Sequence, residues 1–176
     1  LSKIKVFDPA CGSGNFLIIA YKNLRRLEMA AQQAKAQVSG QEQAMTVGVR
    51  LENFYGIEID DFAHETAQLS LWLAQHQMNR ELFDRFGQIE PTLPLSGGGN
   101  IVHGTALRMD WGAVCPQAAK EEVYVCGNPP FNGANSRTAN QNVVMAEVFR
   151  GFRTYKYLDF VACWFWKGAQ YIAQKN

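Results

Sequence analysis

The sequence predicts an α/β fold built on an open, mostly parallel sheet. Short apolar segments at residues 4–7, 54–60, 100–103 and 123–126 read as strands, and stretches with helical character separate them. At 176 residues, of which 47% are hydrophobic, the chain is long enough to bury a core. The predicted order is strand, helix, strand, helix, strand, strand, loop and helix.

The first strand leads into a loop with the sequence Asp-Pro-Ala-Cys-Gly-Ser-Gly-Asn-Phe at residues 8–16. Gly12 and Gly14 can adopt positive φ and let a ligand approach the backbone, although a simple strand-to-helix turn is the alternative. The helix that follows is predicted to extend toward Val38, where Ser39-Gly40 interrupts it. The sequence does not favour a dinucleotide-binding site. The fingerprint of such sites requires a third glycine and an acid about 20 residues further along the chain, and this sequence has neither at those positions.

The second strand carries an acid, Glu58, at its carboxyl end. Ligands bind at the carboxyl ends of strands in open α/β sheets, so Glu58 is expected to accept from both hydroxyls of a ribose. The alternative is a solvated strand end. Asp60 or Asp61 is expected to cap the next helix, over residues 62–78.

The fourth strand is followed by the turn Asn128-Pro129-Pro130-Phe131. Proline fixes φ and lacks an N–H, so the carbonyls of the turn can face a ligand. A planar amine held by the Asn128 side-chain carbonyl and a backbone carbonyl would turn its lone pair toward an electrophile, with Phe131 stacked on its ring. An ordinary proline turn with Phe131 in the core is the alternative. Residues 132–142 are expected to form a mobile loop over the substrate or a surface connection.

Together these segments resemble the motifs of S-adenosylmethionine-dependent DNA adenine N6-methyltransferases: Asp-Pro-Ala-Cys-Gly-Ser-Gly-Asn-Phe, Tyr-Gly-Ile-Glu-Ile-Asp and Gly-Asn-Pro-Pro-Phe. Their order is similar to the gamma class. The helix after Asp60 and residues 157–164 most resemble the methyltransferase region of fused type IIG restriction-modification enzymes. The resemblance implies a Rossmann-like class I methyltransferase fold. Residues 1–176 are expected to be a fragment with the first four strands and their helices, without the later strands and the target-recognition domain; whether a nuclease is fused stays open.

The resemblance also implies roles for individual residues. S-adenosylmethionine would be bound by Asp8, Ala10, Gly12, Gly14, Asn15, Glu58, Ile59, Thr105 and Ala106, and catalysis would depend on Asn128, Pro129, Pro130 and Phe131. Thr105 is a departure, because relatives commonly carry Asp or Asn there and a hydroxyl lacks the paired donor and acceptor of an amide. Asp110 is a possible substitute, with a solvated loop acid as the alternative.

The implied reaction is direct methyl transfer to the N6 amine of an adenine flipped out of double-stranded DNA, without a metal. The rival interpretations are a methyltransferase acting on protein glutamine or an RNA base, and a non-catalytic nucleotide-binding module. The isolated chain is expected to methylate DNA weakly or not at all.

The amino-acid composition says less about function than the motifs do. The net charge is only +1, so the DNA prediction rests on the motifs. Of two basic groups, 22–26 and 150–156, the second is the better candidate for phosphate contact, and solvated helix faces explain most of these residues. The cysteines and histidines are too scattered in sequence to predict a metal site. Unpaired cysteines fit reduced thiols in a cytoplasmic protein. No apolar run is long enough for a membrane helix. Residues 91–99 are expected to be a flexible connection, and 157–173 a helix with Trp164 and Trp166 mainly in the core.

Overall fold

The computed structural model describes residues 1–40, 46–88 and 99–174. Four parallel strands form one sheet in the order β3-β2-β1-β4. The strands are β1 (Ile4–Asp8), β2 (Phe54–Glu58), β3 (Asn100–His103) and β4 (Glu122–Val125). The predicted Rossmann-like α/β architecture is therefore confirmed, with β3 at its predicted residues and β4 one residue earlier than predicted.

Helices connect and cover the strands. They are α1 (Asn15–Ser39), α2 (Asp61–Phe86), α3 (Trp111–Val114), α4 (Ala139–Val148) and α5 (Ala162–Ala173), with 3-10 turns at Leu51–Asn53 and Tyr155–Tyr157. The α1 helix ends one residue beyond its predicted end. The α2 helix runs well past residue 78, and Asp60 rather than Asp61 is its N-cap, accepting from the Ala63 N–H at 2.8 Å.

The sheet buries side chains on both faces. Val6 packs into the core formed with α1 and α2, whereas the next residue, Phe7, packs into the core on the opposite face. There the Phe7 ring meets Trp111 of α3 and Tyr171 of α5 edge to face, at centroid distances of 5.3 and 5.7 Å. Burial on both faces explains why two consecutive residues of β1, Val6 and Phe7, are both apolar.

Two predicted boundaries are wrong. The segment 132–142 is not a loop throughout, because α4 begins at Ala139 behind a capping box formed by Thr138 and Gln141. The last helix begins at Ala162 rather than at residue 157. Trp164 and Trp166 are partly buried against a small core that joins α4 and α5 to the segment after β3. Most of the predicted connection at 91–99 lies outside the described residues.

The first basic group is not simply a solvated face. Arg25 is buried between α1 and α2, where its guanidinium donates to the Tyr21 hydroxyl at 2.9 Å and to the Asn79 side-chain carbonyl at 3.3 Å. Its neighbour Arg26 is exposed and pairs with Glu81 at 3.1 Å. Across the three described ranges, none of the helices has the length and apolar character that a membrane span requires.

Candidate active site

A cavity of about 560 Å³ opens at the carboxyl ends of the strands. Parallel strands bring these ends to one edge of the sheet, where open α/β folds bind ligands. The predicted cofactor residues that line the cavity are Ala10, Gly12, Glu58, Ile59, Thr105 and Ala106. Asn128 and Pro130 of the predicted catalytic turn line the same cavity. The structure therefore brings most of the predicted site together.

The remaining predicted residues do not line this cavity. Asp8 and Pro129 line a second cavity of about 380 Å³. Trp164 borders both cavities, and its indole N–H donates to the Pro9 carbonyl with an N···O distance of 3.3 Å. The predicted residues that line neither cavity are Gly14, Asn15 and Phe131.

The two glycines of the loop after β1 have different surroundings. Gly14, at φ 85°, sits against α2, where an added Cβ would lie 3.3 Å from the Ala67 Cβ. At Gly12, with φ 54°, an added Cβ would meet nothing within 4 Å. Gly14 thus permits the close packing of α1 on α2, whereas Gly12 leaves its backbone open to a ligand.

The Glu58 carboxylate joins this loop to the end of β2. Its Oε2 accepts from the Gly12 N–H at 2.8 Å, and its Oε1 accepts from the Ile59 and Asp60 N–H groups, both at 2.9 Å. A carboxylate has about four lone-pair sites, so about one remains for another donor. Accepting two ribose hydroxyls, as expected from the sequence, would require one backbone N–H to be released.

A backbone hydrogen bond joins the residue after β3 to Glu58. The Gly104 N–H donates to the Glu58 carbonyl at 2.8 Å, and Thr105 follows in the cavity wall. Asp110 does not line this cavity; its carboxylate caps α3 by accepting from the Gly112 N–H at 2.9 Å. Asp110 is therefore a helix cap and does not replace Thr105 in the cavity.

The predicted catalytic turn follows β4. The Cys126 N–H donates to the Phe7 carbonyl at 2.9 Å, which places the start of the turn beside β1. Asn128 and Pro130 are both exposed toward the large cavity. The Phe131 ring is 66% exposed, so the alternative that made Phe131 a core residue is wrong.

Asp8 lies beneath the turn and is 1% exposed. Burial raises the pKa of its carboxyl to about 6; the hydrogen bond from the Ala10 N–H at 3.0 Å opposes the shift, and the nearby Glu58 carboxylate adds to it. A Cβ on Gly127, whose φ is 146°, would collide with this carboxylate. The glycine before Asn128 therefore lets the two loops touch.

Cys11, in the loop after β1, is a buried thiol. Burial raises its pKa to about 12, and the Asp8 and Glu58 carboxylates add to that shift. The thiol therefore stays protonated at neutral pH, which supports a packing role over a nucleophilic one.

The first turn of α4 forms a wall that the sequence analysis missed. Thr138, Asn140, Gln141 and Val144 line the large cavity. The Thr138 hydroxyl accepts from the Gln141 N–H at 3.2 Å, and the Gln141 side-chain carbonyl accepts from the Thr138 N–H at 2.9 Å. The available signal was the Thr-x-x-Gln pattern ahead of an apolar pair, which is typical of a helix start.

Asp159 holds the chain that follows the catalytic turn. Its Oδ1 accepts from the N–H groups of Asn132 at 2.9 Å and Val161 at 3.0 Å. The Phe160 N–H donates back to the Asn132 carbonyl at 2.9 Å. These contacts attach the turn to the start of α5. The only sequence signal for Asp159 is its place within the segment 157–164.

The second basic group lies after α4. Arg150, Arg153 and Lys156 are exposed. Arg137, which the sequence analysis did not single out, donates to the carbonyls of Lys156 at 2.7 Å and Leu158 at 2.5 Å. This anchors the end of the basic segment to the chain that precedes α4.

Comparison with known proteins connects this geometry to a family. Residues 1–176 match the family described as MmeI, DNA-methyltransferase domain. DNA methyltransferase A of Bacillus subtilis (strain 168) is 46% identical over 177 residues, which covers 100% of this chain and 20% of that protein. A putative type II restriction enzyme and methyltransferase of Methanocaldococcus jannaschii is 41% identical over 75 residues, covering 42% of this chain and 6% of that protein.

A solved structure supports the same relationship. The type IIL restriction-modification enzyme MmeI, in complex with DNA, superimposes with a TM-score of 0.85 and 37% identity. The match covers 98% of this chain and 23% of that one, so the chain spans about a quarter or less of the relatives it matches. The predicted likeness to restriction-modification methyltransferases is confirmed, and the chain belongs to the MmeI DNA-methyltransferase domain family.

Proposed function

We propose that the protein transfers the methyl group of S-adenosylmethionine to the N6 amine of an adenine flipped out of double-stranded DNA, as part of a restriction-modification system. One observation carries the proposal: a single cavity is lined by Gly12, Glu58 and Ile59 and also by Asn128 and Pro130. The residues proposed to bind the cofactor and the residue proposed to orient the amine therefore share one space. Membership of a DNA-methyltransferase family supports methyl transfer to DNA.

The residues present fit S-adenosylmethionine. Gly12 leaves its backbone open to the cavity, and Glu58 keeps acceptor capacity for a ribose hydroxyl. Ile59 is 65% exposed and offers an apolar side chain to cover a purine. When bound, S-adenosylmethionine supplies an electrophilic methyl group on a positively charged sulfonium. Ala10, Thr105 and Ala106 complete this part of the wall.

Asn128, which lines the large cavity, and the backbone carbonyl of the next residue, Pro129, which borders the second cavity, are the groups proposed to orient the acceptor. Each carbonyl oxygen accepts one hydrogen of the target amine, which directs the nitrogen lone pair at the methyl carbon. Bound S-adenosylmethionine would supply the methyl group to this nitrogen and leave as S-adenosylhomocysteine, and the surplus amine proton would pass to water. Alignment of this kind contributes about 7–11 kcal/mol, so no strong base is needed.

Phe131 and the basic segment 150–156 are the proposed contacts to the DNA substrate. An adenine inside a duplex is out of reach, so the base must be extruded, at a cost of a few kcal/mol. The exposed Phe131 ring offers a stacking surface worth about 1–3 kcal/mol. The exposed Arg150, Arg153 and Lys156 are the proposed contacts to DNA phosphates.

The test is to incubate the full-length protein with S-adenosylmethionine labelled in its methyl group and with DNA of random sequence, followed by nucleoside analysis. The expected product is N6-methyladenine in DNA, at a specific sequence chosen by parts of the protein outside these residues. Label on cytosine N4 contradicts the adenine assignment. Label in RNA or on protein glutamine, with none in DNA, supports the rival methyltransferase instead.

A further inference from the structure

The wall at the end of β3 provides little polar chemistry for a purine. Of the residues there that line the cavity, Gly104, Thr105, Ala106 and Leu107, only Thr105 has a polar side chain. The edge of adenine places an amine donor beside a ring-nitrogen acceptor, and a carboxamide pairs with both at once. A single hydroxyl lacks that separated pair. The side chains of this wall therefore offer an adenine edge no paired donor and acceptor.

The α4 helix is fixed against this wall. The Arg108 guanidinium makes two hydrogen bonds to the Glu147 carboxylate, at 3.0 and 3.2 Å. Leu107 packs with Val144 in the same buried cluster. Asn140 shares a helix face with Val144 and Glu147, because the three lie at positions i, i+4 and i+7. The helix thus presents Asn140 to the cavity near the segment that carries Thr105.

Asn140 has the required groups available. The neighbouring Gln141 is held by the capping box, because its side-chain carbonyl accepts from the Thr138 N–H. The Asn140 carboxamide makes no hydrogen bond to any part of the chain that the structure describes. Its donor and its acceptor both remain for a molecule in the cavity.

We infer that Asn140, on the part of the cavity wall formed by α4, supplies the paired donor and acceptor for the adenine edge of the cofactor, next to the segment that carries Thr105. This inference rests on the proposed use of S-adenosylmethionine. It assigns adenine selectivity to α4, which follows the catalytic turn in sequence, in addition to the strand ends.

The experiment compares two ligands by titration calorimetry on the full-length protein. The ligands are S-adenosylhomocysteine and its analogue with hydrogen in place of the adenine amine. The unsubstituted protein should prefer S-adenosylhomocysteine. Asn140→Ala should weaken S-adenosylhomocysteine binding about 5- to 150-fold, the range for a bidentate carboxamide–adenine pair, and should lose most of the preference. Asn142→Ala is the matched control, because Asn142 is an exposed asparagine of α4 that does not line the cavity.

The outcomes separate the inference from the proposed function. If the unsubstituted protein binds neither ligand, the proposed cofactor is wrong and the inference falls with it. If it binds with a preference that Asn140→Ala retains in full, only the role of Asn140 is wrong. Equal losses in Asn140→Ala and Asn142→Ala also overturn that role, because they indicate a general effect on α4. Equal thermal unfolding midpoints for both variants accompany the supporting result.

Discussion

The Glu58 carboxylate accepts a hydrogen bond from the Gly12 backbone N–H at 2.8 Å, which fixes the loop after β1 to the end of β2. The same carboxylate also accepts hydrogen bonds from the backbone N–H groups of Ile59 and Asp60. The acid proposed to bind ribose thus also shapes the loop proposed to surround the methionine part of the cofactor. Substitutions there should affect both folding and binding.

Glu58→Gln should lower the free energy of unfolding by about 1–3 kcal/mol and weaken cofactor binding. An amide places a donor against one of the three backbone N–H groups, and a hydrogen bond to a charged acceptor is lost. Urea unfolding and calorimetry with S-adenosylhomocysteine measure the two effects. Glu52→Gln, at an exposed acid before β2, is the control. Equal costs for the two variants would contradict a special role for Glu58.

Gly127→Ala should lower stability and methyl-transfer activity more than Gly151→Ala does. Both glycines have positive φ, at 146° and 94°, so each substitution carries a backbone cost of about 1–3 kcal/mol. At Gly127 the new methyl group also collides with the Asp8 carboxylate, whereas nothing lies within 4 Å at Gly151. Unfolding and methyl-transfer assays should both show the excess loss in Gly127→Ala. Matching behaviour in the two variants would show that contact with Asp8 is unimportant.

Asp8→Asn should change how stability depends on pH. The folded-state pKa of Asp8, about 6, lies above the ordinary value of 3.8, so its stabilising contribution is complete below about pH 3.8 and is lost as pH rises through 6. Asp8→Asn has no ionisable group at this position, so it does not lose stability in this way as pH rises. Its stability relative to the natural protein should therefore rise between pH 4 and pH 7, by up to about 3 kcal/mol. Unfolding curves across that range check the slope, and a difference that does not vary with pH would contradict it.

Asn128→Ala should lower methyl transfer by about 100-fold or more, the scale seen when a group that orients the reacting centre is removed. Cofactor affinity should stay nearly unchanged, since the proposed partner of Asn128 is the substrate amine. Radiolabelled methyl transfer and calorimetry separate the two quantities. Asn132→Ala, at an asparagine of the same loop that lines neither cavity, should retain activity. Full turnover by Asn128→Ala would remove Asn128 from the mechanism.

Phe131→Ala should weaken binding of DNA whose target base is already extruded, by about 5- to 150-fold, with little effect on folding. The reason is that the exposed ring is proposed to stack on the base rather than to pack in the core. Phe83→Ala is a suitable control, because Phe83 is a half-exposed phenylalanine that lines neither cavity and lies in the last turn of α2, at the opposite end of that helix from the carboxyl end of β2. A binding titration in which the two variants match would argue against stacking.

The parts of this molecule that local sequence determines were predictable. The strands follow from short apolar runs, and the placement of Glu58 and Asn128 follows from the rule that parallel strands end at one edge. The Asp60 cap and the end of α1 near Gly40 also have local signals.

The missed features depend on contacts between distant segments. The position of α4 over the cavity depends on Leu107 and Arg108, which lie before β4. The burial of Arg25 depends on Asn79 of α2, and the contact of Asp8 with Gly127 depends on the pairing of β1 with β4. No local pattern marks such partners. The start of α4 is the exception, because its Thr138–Gln141 capping box was present in the sequence and was overlooked.

The pairing of β1 with β4, in which Phe7 lies opposite Val125, has a consequence for engineering. Neighbouring strands are about 4.8 Å apart whatever length of chain joins them. The two loops proposed to form the active site therefore depend on this ladder and not on their order along the chain, so a circular permutant that encodes the β4 segment ahead of the β1 segment is expected to keep them side by side.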